Sequence, residues 1–141
     1  MSTYADTSFL VSLYLTDTHT REAERLMASG PVVCLTPFHV AEWTHAVEQH
    51  VFRGALSRSE GNAYHERFQR HRETALWMEI AVPELVFDIS TQLARRHGAK
   101  LGLRTLDTLH VASALELKAE RFWTFDERQK KLARAVGLKA T

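Results

Sequence analysis

The 141 residues are 45% hydrophobic and 25% charged, the profile of a globular chain that can build a sizeable core without staples. A single cysteine, Cys34 in the apolar run VVCL, excludes an internal disulfide framework; it reads as a core residue and fits a reducing, cytoplasmic compartment. A net charge of +1, no stretch of membrane-spanning length and no basic start to MSTYADTSFLVSLYL argue against a chain-wide basic surface, a membrane protein and a signal peptide.

Charge is divided along the chain. Residues 1–90 carry 7 basic and 12 acidic side chains, whereas residues 91–141 carry 11 basic and 5 acidic ones. Arg95, Arg96, Lys100 and Arg104 lie close together, as do Arg128, Lys130, Lys131 and Arg134. Each group fits a solvated helix face; together they also fit a rim that contacts phosphates.

Thr3 to Ala5 reads as a short strand, and Asp6-Thr7-Ser8 offers N-cap residues ahead of the helical run FLVSLYL. A second helix spans about 20–29 and ends at Gly30-Pro31. PVVCLT is a buried strand by composition, and Thr36-Pro37 starts the helix FHVAEWTHAVEQHVF. Ser57-x-x-Glu60 is a capping box opening a polar helix to about Arg72, the weakest contributor to the core. With its predecessor it forms a helical hairpin over about 37–72. WMEIAV reads as a strand, PELVFDISTQLARRHG as a helix stopped by Gly98, and LRTLDTLHVASALEL as a helix apolar on nearly every face. RFWTF reads as a strand, Asp126-x-x-Gln129 caps a last basic helix, and GLKAT reads as an edge strand. Strands alternating with helices, with no repeat, linker or low-complexity stretch, predict one α/β domain over 1–141 with a parallel sheet covered on both faces.

In such a sheet, ligands bind outside the carboxyl ends of the strands. Asp6 and Asp126 follow two predicted strands, and Glu42 and Asp107 lie near the starts of two helices. Each acid has an ordinary role open to it. Asp6 and Asp126 can be N-caps, Glu42 a solvated helix acid, and Asp107 the partner of Arg104 one turn earlier. Gathered in one pocket, four carboxylates would repel one another, a conflict that a hard divalent cation removes.

YADTSFL, VAEW, LDTLHVASAL and WTFDERQ together resemble the four acidic blocks of PIN-domain ribonucleases, and most closely the VapC-type toxins of toxin–antitoxin pairs. The resemblance spans Tyr4 to Val136. It implies a three-layer α/β/α sandwich around a mostly parallel sheet of four to five strands. It also implies that Asp6, Glu42, Asp107 and Asp126 hold Mg²⁺, or Mn²⁺, for hydrolysis of RNA phosphodiester bonds. Thr7, Ser8 and Thr124 match polar positions near that site. Arg104 is read as a phosphate contact from its charge and place, outside the family pattern, and His110 as supporting structure. The resemblance further implies a homodimer and a cognate VapB-like antitoxin, with the second and fifth helices as candidate dimer surfaces.

Two other readings compete. Glu42/His45 and Asp107/His110 are both acid-x-x-His pairs, the kind of motif that binds two irons in helical bundles, although the β-rich runs between them disfavour a bundle. A PIN-like module that binds RNA or protein without cutting is the non-enzymatic alternative. No His-Glu-x-x-His motif is present; His39, His45 and His50 do not share a helix face, and His65 and His71 are expected to be solvated.

Overall fold

The computed structural model describes residues 2–141. Five strands form one parallel sheet: β1 (Ser2–Ala5), β2 (Val32–Leu35), β3 (Met78–Glu79), β4 (Arg121–Trp123) and β5 (Lys139–Ala140), in the order β3-β2-β1-β4-β5. β1 is central, with Tyr4 in register with Cys34 on one side and Phe122 on the other.

Side-chain alternation along these strands divides the core in two. Ala5, Val33, Leu35 and Trp123 face one way. There they meet Phe9 and Leu10 of α1 (Thr7–Tyr14), Ala23 of α2 (Thr20–Met27), Trp43 and Val47 of α3 (Pro37–Phe52) and Phe68 of α4 (Arg58–Glu73). Tyr4, Cys34 and Phe122 face the other way. Their partners are Val86 and Leu93 of α5 (Leu85–Leu101), Val111, Ala112 and Ala114 of α6 (Thr105–Glu116), and Leu132 and Ala133 of α7 (Glu127–Ala135). The architecture is therefore a three-layer α/β/α sandwich, with α1–α4 on one face and α5–α7 on the other.

Three elements depart from the sequence reading. α5 does not stop at Gly98 but runs on to Leu101; Gly102, at φ +65°, supplies the left-handed turn and donates its N–H to the Gly98 carbonyl. WMEIAV yields only the two-residue β3, because this edge strand pairs with β2 alone and its side chains are exposed. α4, though polar, enters the core: Phe68 is buried and stacks on Trp43 with ring centroids 4.2 Å apart. Gly61 permits the close approach of α3 and α4, since a Cβ there would lie 2.7 Å from Val51 Cγ2. His65 and His71 are not freely solvated either. His65 hydrogen-bonds to Glu48, and His71 Nδ1 lies 2.5 Å from the Tyr14 hydroxyl.

Candidate active site

The central strand delivers the first acid. The Asp6 N–H continues the β1–β4 ladder by donating to the Trp123 carbonyl at 2.9 Å, which fixes its backbone, and its side chain caps α1. Oδ1 accepts from the Phe9 N–H at 3.0 Å and the Ser8 hydroxyl at 2.7 Å; Oδ2 accepts from the Thr124 hydroxyl at 2.8 Å. Asp6 is 1% exposed. Burial pushes its carboxyl above the usual range, a rise that the nearby His110 and the three donors only partly offset.

Thr124 joins two acids, since its hydroxyl also accepts the Asp126 N–H at 2.9 Å. Asp126 caps α7, its Oδ1 accepting the Gln129 N–H at 3.0 Å. Asp107, at the third position of α6, reaches back to accept the Arg104 N–H at 2.9 Å, while the Gln129 side-chain amide donates to its other oxygen at 3.2 Å. Three of the four acids thus sit at the starts of helices, where the partial positive charge of the unpaired N–H groups offsets their repulsion.

Glu42 is held differently. Its Oε1 accepts the Thr7 hydroxyl at 2.6 Å and the His110 Nε2–H at 2.5 Å. With Nε2 donating, Nδ1 of a neutral ring is left to accept the Tyr4 hydroxyl, 2.7 Å away. Burial pushes the Glu42 carboxyl up, but the hydrogen bond from His110, the attraction of that ring when it is protonated, and the Thr7 hydroxyl outweigh it and hold the group below its usual range.

These residues line one cleft of about 400 Å³, formed by Asp6, Thr7, Ser8, Glu42, Arg104, Thr105, Leu106, Asp107, His110, Asp126 and Gln129. Thr124 stands behind the wall, holding Asp6. Among the described residues no three His, Cys, Asp or Glu side chains converge closely enough to ligate a single ion as they stand. Each carboxylate is turned toward its own donors. The donor set nevertheless suits a hard cation: four carboxylates face one cleft, and the buried Asp6 carboxylate has no basic side chain within ion-pair distance among the described residues. A larger hollow, about 580 Å³, is mainly apolar and lies beside β3, lined by residues including Leu35, Val40 and Ile80. It holds none of the four acids, so volume is a poor guide to the chemistry of this molecule. His45 lines that hollow, so the paired acid-x-x-His site for two irons is not assembled, and the sheet rules out the bundle it needs.

The sequence model of the PIN domain family matches residues 3–135. The chain belongs to the PIN domain family. Solved structures agree on the fold. FitAcB from Neisseria gonorrhoeae superposes with a TM-score of 0.73 at 20% identity, covering 98% of this chain and 95% of that one. The sarcin-ricin loop cleaving toxin VapC20 from Mycobacterium tuberculosis gives 0.72 at 19% identity, covering 96% and 95%. VapBC2 from Rickettsia felis, bound to a promoter DNA fragment, gives 0.68 at 14% identity, covering 100% and 98%. No curated protein matches the sequence significantly.

Two residues of this PIN domain do more at the cleft than the sequence reading gave them. His110 has a larger part than general support, because it ties Glu42 to the buried Tyr4. Gln129 was read only as a capping partner, yet its amide also holds Asp107. The apolar surroundings of His110 in LDTLHVASAL mark a buried position, but nothing local announces a partner 68 residues away. Arg104 takes the ion-pair role read for it: Nε lies 3.7 Å from Asp107 Oδ2, and a terminal nitrogen lies 3.8 Å from Asp126 Oδ2.

Proposed function

We propose that this PIN domain, acting as a single domain over 1–141, is a divalent-metal-dependent endoribonuclease and the toxin of a type II toxin–antitoxin pair. The observation that carries the reading is the placement of Asp6, Glu42, Asp107 and Asp126, from four distant segments, on one cleft at the carboxyl edge of the sheet. These four would hold Mg²⁺, with Mn²⁺ as a substitute. A bound divalent ion supplies Lewis-acid stabilisation of the phosphate and activates water for phosphodiester hydrolysis.

The protein's own part is orientation and charge. Ser8, Thr124 and the Phe9 N–H fix the Asp6 oxygens, Thr7 and His110 fix Glu42, and Gln129 fixes Asp107. Such outer hydrogen bonds keep acids in place when a cation is exchanged. Arg104, on the rim, offers a guanidinium that matches a phosphate in a bidentate way. Arg95 lines the adjoining hollow, and Arg96 and Lys100 on α5, with Arg128, Lys131 and Arg134 on α7, supply further positive charge on the neighbouring helices. A homodimer and a VapB-like antitoxin complete the proposal. VapC20, of similar fold, is described as a toxin, and the exposed Leu85 and Phe87 at the start of α5 suit a partner surface. Among the described residues no helix is long and apolar enough to cross a membrane, in keeping with a cytoplasmic role.

The test is cleavage of cellular RNA by the purified protein with Mg²⁺, with EDTA, and by Asp6→Asn, followed by sequencing of the new RNA ends. Cleavage only by the wild type with Mg²⁺ is the expected result. RNA left whole by every form would overturn the proposal in favour of a binding module.

A further inference from the structure

Arg104 occupies the boundary between two hollows. One is the carboxylate cleft. The other, about 360 Å³, lies beside it and is lined by Ser90, Thr91, Ala94, Arg95, Leu103, Arg104, Thr105 and Thr108. Arg104 and Thr105 belong to both walls. The Arg104 backbone is fixed, because its N–H donates to Asp107, yet its side chain is 70% exposed. Its two ion pairs, at 3.7 and 3.8 Å, are longer than a directed guanidinium–carboxylate hydrogen bond. A held backbone and a loosely held charged head describe a side chain that can turn about its own stem. Asp107 is 3% exposed and Asp126 26% exposed, so this guanidinium is the neutralising charge nearest to that half of the cleft.

We propose that Arg104 is a substrate-positioning residue with two stations. Over the acids it is the counter-ion of Asp107 and Asp126. In the neighbouring hollow, beside Arg95, it meets a backbone phosphate of the RNA strand. The two stations are exclusive, because one guanidinium cannot pair with the acids and with the strand at once. A cation held by Asp107 and Asp126 repels the guanidinium and leaves it free for the strand. Arg95 forms no ion pair among the described residues and gives the second hollow a standing positive charge. Thr91 and Thr105 add hydroxyls on the same wall. The inference deepens the proposed function and rests on its metal site, and it assigns the strand a path leaving the cleft across α5 and α6.

The exchange predicts opposite signs for two affinities. Titrating Mn²⁺ into the RNA-free protein by calorimetry should show Arg104→Gln binding the ion more tightly, on the order of tenfold, because a like charge has been removed from a partly exposed site. At saturating Mg²⁺ the same variant should show a KM for RNA raised on the order of tenfold, because one charge-assisted phosphate contact is gone. Arg104→Lys should stay near the wild type in Mn²⁺ affinity and fall between the two in KM. Arg95→Gln should raise KM and leave the Mn²⁺ isotherm within about twofold. A circular dichroism spectrum and melting curve for each variant verify that the fold is kept. Mn²⁺ affinity in Arg104→Gln that is unchanged or weaker would overturn the exchange while leaving the nuclease reading intact. Wild-type protein that binds no Mn²⁺, and an Asp6→Asn variant indistinguishable from it, would overturn the metal site itself.

Discussion

The two halves of the cleft neutralise their acids by different means. On the β1–α3 side, Asp6 and Glu42 are met by hydroxyls, a backbone N–H and the buried His110, groups that packing holds in one position. On the α6–α7 side, Asp107 and Asp126 share Gln129 and face the exposed Arg104. The first half is rigid and carries the greater desolvation cost. The second is adjustable, and its countercharge is in reach of solvent. Neutralising an acid should therefore have different consequences on the two sides.

The largest effect expected is on catalysis, and it should be common to both halves: Asp6→Asn and Asp107→Asn reduce Mg²⁺-dependent RNA cleavage to background while the circular dichroism spectrum is kept. Stability is where they part. Asp6 is buried with a raised pKa, so its ionised form costs the folded state free energy at neutral pH. Asp6→Asn should raise the melting temperature in EDTA by about 2–4 °C. Asp107→Asn loses the Arg104 pairing and should show no such gain. Equal shifts in the two variants would erase the distinction between the halves.

Next in size is the loss of the histidine that holds the rigid half. His110→Ala leaves Glu42 without its buried partner and should cost about 2–3 kcal/mol, read from urea midpoints. Activity should fall on the order of 10- to 100-fold, the range seen when a residue behind a metal ligand is lost. Activity equal to the wild type at saturating Mg²⁺ would mean that Glu42 is positioned without His110.

Acid sensitivity should belong to the rigid half as well. His39 lies under it, its Nε2 bonded to the Ala5 carbonyl at 2.8 Å and its Nδ1 to Thr36. Burial, with the nearby His110, pushes its pKa down to about 3. The unfolded chain takes up a proton near pH 6.5 that the folded chain refuses, so stability falls as pH drops from 6.5 toward 3, by at most about 1.4 kcal/mol per unit. Asp6 works in the opposite sense, since acidification relieves its charge. Urea titrations between pH 7 and 4 should show a shallower acid limb in His39→Gln than in the wild type, and parallel limbs would remove His39 as the cause. The smallest effect is that of Ser8→Ala, which removes one donor from Asp6 and should cost about 0.5–1 kcal/mol.

What the sequence disclosed follows the range of the interactions. Asp6 and Asp126 were readable because each caps the helix that follows it, a signal confined to four residues. The two faces of the sheet were readable from alternation and from helices between strands. Gly98 and Gly102 stand four residues apart, and only the backbone shows that the first lies inside α5 and the second ends it. Phe68 was hidden because one aromatic on a polar helix leaves no apolar stripe. The contacts of His110 span 106, 103 and 68 residues, and no local pattern encodes such distances. Of the two roles the sequence offers Arg104, the ion pair is present in the structure, and the phosphate contact is a proposal that rests on a side chain bordering two hollows.

The joining of Asp6 to Trp123 and Thr124 has a consequence for the birth of the molecule. β1 is made before the other strands described, and Asp6, just after it, must wait for more than a hundred further residues before it gains the wall behind it. A nascent chain, or one truncated before residue 124, lacks that wall, and one cut short before Asp126 also lacks an acid of the cleft. Under the proposed function, order of synthesis thus acts as a safety catch, withholding the assembled cleft until the residues through Asp126 have been made.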